Sequence, residues 1–110
     1  MQQFLVLTVG RALDPQDGDE QTQAYMGEWQ AWLGGLVASG ALDSGRPLEP
    51  GGKVVDKDGV KDYVPEEIGI GGYLIINAES LQDAAKIAQG SPHVAIGGSA
   101  IIRPCLSVPQ

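Results

Sequence analysis

Gly71-Gly72-Tyr73-Leu74-Ile75-Ile76-Asn77, with residues 80–89 and 100–106 behind it, decides how this chain folds. The first run predicts a buried strand, the second a short amphipathic helix and the third a returning strand. Ahead of them stand a strand at residues 4–9 and a longer helix at about 20–39. The order reads β-α-β-β-α-β, the ferredoxin-like pattern, with an extra hairpin between the halves. The fold class is therefore α+β. Helices in this topology cover one face of the sheet, yet the strands are apolar on both faces, so something else must cover the second face.

Phe4, Val6 and Thr8 share one face of the first strand, and Leu5, Leu7 and Val9 the other. Residues 11–20 are polar, with Pro15, Gly18 and four acids, and read as a loop. In the first helix Tyr25, Met26, Trp29, Trp32, Leu33, Leu36 and Val37 recur at three- and four-residue steps as one broad apolar stripe. Gly34-Gly35 interrupts it, which predicts close approach of another backbone or a local kink. Gly40 supplies the left-handed stop. Ser44-Gly45-Arg46-Pro47-Leu48-Glu49-Pro50-Gly51-Gly52 reads as a turn-rich connection without regular structure. An Asp58-Gly59 turn between residues 53–56 and 60–64 predicts a small hairpin. Ser80-Leu81-Gln82-Asp83 starts the second helix as a capping box, with Leu81, Ala84, Ala85 and Ala88 on its inner face and Ile87 beside it. Gly90 and Pro92 end it. Pro104 marks the last strand as an edge or as near its end.

At 110 residues, 43% of them apolar, the chain is one domain (1–110) with a proper core. Seven Lys and Arg against 14 Asp and Glu give a formal charge of −7 without a basic stripe, which argues against nucleic-acid or anionic-membrane partners. No apolar run reaches the length of a membrane span, and no leader is expected. The lone Cys105 excludes an internal disulfide framework and suits a reducing cytoplasm. The two-sided apolar strands predict that the protein pairs with itself, a homodimer in which two open sheet faces pack together. The plainer alternative is a monomer whose 40–70 loop folds across that face.

Leu5-Val6-Leu7, Met26-Gly27-Glu28-Trp29-Gln30-Ala31-Trp32, Gly40-Ala41-Leu42, Gly45-Arg46-Pro47-Leu48, Gly71-Gly72-Tyr73-Leu74-Ile75-Ile76 and Ile102-Arg103-Pro104, in that order, resemble the YCII-related proteins. More narrowly, they resemble the bacterial branch marked by an Asp-Gly-Pro-Phe motif. The resemblance spans nearly the whole chain and implies a ferredoxin-like protomer that pairs into a dimeric α/β barrel. Some members carry a His-Asp pair proposed as catalytic, and one small branch handles chlorinated aromatic metabolites. This chain departs from the pattern. It has Asp62-Tyr63-Val64-Pro65-Glu66 where the name motif falls, Trp29 at the position of that histidine, and Ser91 at that of the aspartate. No mechanism is inherited through those positions.

Candidate chemistry is sparse. His93 is the only histidine, hence the only candidate acid or base of the type that titrates near neutrality, with Glu28, Glu66 or Glu67 as conceivable partners; otherwise it is a half-exposed loop residue. Glu66 and Glu67 are adjacent in an extended segment and point to opposite faces. Trp29 and Trp32 either line an aromatic pocket or belong to the core. Tyr73 and Arg103 complete the ligand-binding candidates, Arg103 as an anchor for an anionic group. Gly69-Ile70-Gly71-Gly72 and Gly97-Gly98 precede strands, the wrong context for phosphate binding. One histidine and one cysteine cannot build a zinc site in one protomer, so neither metal nor cofactor is expected. Three readings follow. One is a small cytoplasmic dimer binding a small molecule between helix 1, the sheet and the partner. Another is a cofactor-free enzyme on a small aromatic or anionic metabolite with His93 moving a proton. The third is a regulatory or interaction module using its sheet edge.

Overall fold

The structure is a computed structural model that describes residues 1–10, 20–49, 51–63 and 70–107. Its elements are β1 (Gln2–Val9), α1 (Glu20–Ser39), β2 (Leu42–Pro47), β3 (Gly52–Asp56), β4 (Gly59–Tyr63), β5 (Ile70–Ala78), α2 (Leu81–Gln89), α3 (Pro92–Ala95) and β6 (Ser99–Pro104). Along β5, Gly72, Leu74, Ile76 and Ala78 are buried, while Tyr73, Ile75 and Asn77 between them are half-buried. That period of two assigns each side chain to a face. Four strands pair antiparallel in the order β2-β5-β1-β6, the ferredoxin-like arrangement, and β3 pairs with β4 in a separate two-stranded sheet.

One face of the sheet is the core. Phe4, Val6, Leu74, Ile76 and Ala78 pack against Ala84 and Ala88 of α2, with Trp32 and Leu33 of α1 at the margin. Each large side chain so buried contributes roughly 1.5–3 kcal/mol. The two alanines let α2 lie close on the sheet, whereas Leu81 and Ala85 face solvent. Ser80 caps α2 by accepting the Asp83 amide at 3.1 Å. The stripe on α1 is narrower than its spacing predicts: Tyr25 and Leu36 are buried, but Met26 and Val37 are exposed. Gly34 and Gly35 have no neighbour in reach among the described residues, so no close backbone approach explains the pair. Gly40, at φ +81°, ends the helix. The Ala41 amide then donates back to the Leu36 carbonyl at 2.9 Å, and the Asn77 amide donates to the Ala41 carbonyl at 2.7 Å. The helix end is thereby tied to β5.

Two expectations need correction. The connection after α1 is not irregular, because Leu42–Pro47 forms β2, an edge strand on β5 with a bulge between Leu42 and Ser44. Turn-type residues are tolerated there since an edge strand lacks one neighbour. Gly45 is required by packing: a Cβ on it would collide with the Leu74 side chain and lie 2.7 Å from the Tyr73 carbonyl oxygen. After α2 the chain makes a further short helix, α3, capped by Ser91 with Pro92 at its first position. Pro104 ends β6, which is the other edge strand. The predicted 11–20 loop, except Glu20, and Glu66 and Glu67 lie outside the described residues. No helix among the described residues is long and apolar enough to cross a membrane.

Gly45→Ala is expected to lower unfolding free energy by about 1–3 kcal/mol, an overpacking cost. The exposed neighbour change Ser44→Ala stays within about 0.5 kcal/mol. Urea titration of both variants checks this.

Candidate functional site

The second face of the sheet carries Leu5, Leu7, Tyr73, Ile75 and Ile101, placed there by the register that puts Leu5 opposite Ile75 and Leu7 opposite both Tyr73 and Ile101. Among the described residues no helix packs on it. A cleft of about 520 Å³ opens here, lined by Leu5, Leu7, Leu48, Glu49, Gly51, Tyr63, Ile70 and Tyr73. Its floor is the β1–β5 pair, and its wall is the chain leaving β2 and the base of the β3–β4 hairpin. The lining is mostly apolar, and Tyr63, Tyr73 and Glu49 are its residues with polar side chains. That composition suits a small ring compound held by shape and oriented by a few hydrogen bonds. Arg46 stands directly across from Tyr73, and Arg103 directly across from Leu5, at opposite edges of the same face.

His93 sits elsewhere. Its ring lies on the helix side, 1% exposed, and Nε2 is 2.8 Å from the Val9 carbonyl oxygen. A carbonyl only accepts, so Nε2 carries the hydrogen and donates it. Ser91 caps α3 beneath the ring by accepting the Val94 amide. The Gly98 amide donates to the His93 carbonyl at 3.0 Å. Gly98 presents its bare Cα to the imidazole: a Cβ there would lie 2.6 Å from Cδ2 and nearer still to Nε2. The arrangement clamps α3 to the end of β1. His93 is thus no half-exposed loop residue.

Trp29 and Trp32 are half-buried on α1, also on the helix side. Tyr25, Trp29 and Trp32 form an edge-to-face series, with centroids 6.2 Å apart for the first pair and 5.4 Å for the second. Such pairs contribute roughly 0.5–1.5 kcal/mol each beyond area burial. The Tyr25 hydroxyl is buried and finds no hydrogen-bond partner among the described residues. Burial pushes its phenol above the ordinary 10.0; the neighbouring Trp29 side chain pulls the other way, and the Glu28 carboxylate adds a smaller push upward.

The predicted site residues therefore do not meet in one place. Tyr73 lines the cleft and Arg103 shares its face two strands away, while Trp29, Trp32 and His93 lie behind the sheet. Leu48, Glu49 and Tyr63 escaped the sequence reading, since they fall in a stretch read as turns and at a hairpin end. The one signal pointing to them was the need for a cover on the second face. A smaller cavity of about 260 Å³ lies between α2, α3 and β6, lined mainly by small side chains such as Ala85, Ala88 and Ala100. Among the described residues no three His, Cys, Asp or Glu side chains cluster as metal ligands.

The family model of the YCII-related domain matches residues 4–105. Among solved structures, the chain is similar to a 5-chloro-2-hydroxyhydroquinone dehydrochlorinase from Burkholderia phenoliruptrix, in complex with 2,5-dihydroxybenzoquinone. The identity is 21% and the TM-score 0.57, over 92% of this chain and 90% of that one. The chain matches none of the curated proteins at a significant level.

Two outcomes are expected from the helix side. His93→Ala removes the bond to the Val9 carbonyl and leaves a cavity, costing about 2–4 kcal/mol, and Gly98→Ala costs about 1–3 kcal/mol by displacing the ring; thermal unfolding reads both. Tyr25 sets an alkaline limit. Because its native pKa is raised, the stability held by the neutral phenol is present below the ordinary value and lost as pH rises through the raised one. The stability of wild type relative to Tyr25→Phe, followed by urea titration upward from neutral pH, should stay level at first and fall only in strong alkali.

Proposed function

This chain belongs to the YCII-related family, and from that premise we propose that it pairs with itself through the open sheet face and binds a small planar aromatic compound in the cleft. The observation that carries the reading is the cleft itself: apolar, flanked by Tyr63 and Tyr73, and set in the face of the sheet that no helix among the described residues covers. A surface formed by Leu5, Leu7, Ile75 and Ile101 is costly to leave in water on a monomer. A second sheet laid against it shields these side chains and deepens the cleft around its occupant. The lone Cys105 fits a protein working in the reducing cytoplasm.

A second reading, catalysis in the same cleft, is favoured by the dehydrochlorinase neighbour, an enzyme named for a hydroxylated, chlorinated ring and bound to a quinone. In it Glu49 is the proton acceptor at the cleft wall and a tyrosine hydroxyl orients the ring. His93 cannot serve there without leaving the Val9 carbonyl and crossing the sheet. A donor or acceptor needs hydrogen-bond reach of the proton it moves.

Light scattering should give twice the 11.5 kDa chain mass. Calorimetric titration with 2,5-dihydroxybenzoquinone and with hydroquinone should show saturable binding, weakened roughly two- to tenfold by Tyr73→Ala and unaffected by the α1 surface change Val37→Ala. Absence of binding to any small aromatic sinks the reading. Glu49→Gln separates the two versions: it spares binding in both and abolishes turnover in the second.

A further inference from the structure

Among the described residues, the β3–β4 hairpin packs extensively on no other helix or strand. Each residue of both strands is exposed, including Val55 at 71% and Val60 at 65%. These two valines lie directly opposite one another, on the same side of the ladder as the Lys53–Asp62 ion pair. A two-stranded hairpin by itself is marginal in water, and an exposed ion pair adds at most about 1 kcal/mol. Charge sets the arm apart as well. It holds Lys53, Lys57 and Lys61 against Asp56, Asp58 and Asp62, so it is neutral. The remaining four cations and eleven acids carry the whole −7. Two such acidic bodies repel each other, but a neutral, valine-bearing arm approaches either one freely.

We propose that the arm is a clasp between subunits. Val55 and Val60 of one protomer pack on the Ile101 end of its partner's open sheet face, beside the partner's cleft. The inference rests on the dimer proposed above and adds to it the element that holds the dimer and walls the site. Its occupant is a second copy of this chain, for one reason above the others. The base of the arm, at Gly51 and Tyr63, already borders the cleft. Ile101, 48% exposed, stands at the far end of the row that runs from Tyr73 through Leu7. A two-fold axis lets the arm of each protomer cover the end of the face that the other protomer leaves bare, so one contact made twice accounts for both exposures.

Sedimentation equilibrium over a dilution series tests the clasp. Val55→Asp with Val60→Asp should raise the dimer dissociation constant by at least about tenfold, as should Ile101→Glu, while Lys57→Ala at the hairpin turn leaves it unchanged. Each substituted side chain is exposed in the protomer, so circular dichroism should show each variant folded. Val55→Lys combined with Ile101→Glu should recover part of the lost affinity, which mere misfolding would not allow. A wild-type dimer indifferent to the valine changes overturns the clasp and leaves the dimer reading standing. A wild type that stays monomeric at high concentration overturns both.

Discussion

Phe4 and Ile76 face each other across the β1–β5 ladder, both almost wholly shut off from solvent. That one pairing assigns the rest of the sheet. With Phe4 and Ile76 inward, Val6 and Leu74 go inward too, and Leu5, Leu7, Tyr73 and Ile75 turn to the other side. A slip of one residue would exchange the two sets and put the cleft residues beneath α2. The core and the candidate site are thus two sides of the same hydrogen-bonded register, and neither can be altered along β1 or β5 without addressing the other.

The two faces divide the work. The helix side holds what keeps the fold together: the alanine contact of α2, the aromatic series on α1 and the imidazole clamp of α3. The open side holds what is available to a ligand or a second chain. In that light the only histidine and both tryptophans, the residues that chemistry singles out first, belong to the structural side. The tyrosines and Glu49 belong to the other.

Much of this was legible from residue order. Periodicity and stop signals located β1, α1, the Asp58-Gly59 hairpin, β5, α2 and β6, because each is a local pattern several residues long. β2 was not legible, since Ser44-Gly45-Arg46-Pro47 has turn chemistry and becomes a strand only because β5 offers it a ladder. α3 was missed for a related reason: four residues after Gly90-Ser91-Pro92 are too few to show a helical period. Of the cleft, Tyr73 was visible as a strand aromatic on a face needing cover. Leu48, Glu49 and Tyr63 converge on it from segments far apart in sequence, and no local signal announces such a meeting. His93 drew notice by being alone, but its engagement with Val9 depends on a contact spanning 84 residues.

The fit of Gly98 against the His93 ring has a consequence for how the protein tolerates change. The two positions act as a tenon and its socket: widening one is admissible only if the other narrows, so viable sequences should vary at 93 and 98 together. Because the same ring holds the Val9 end of β1, and β1 carries Leu5 and Leu7 to the opposite face, a loosened joint on the helix side would be felt as a shifted floor in the cleft.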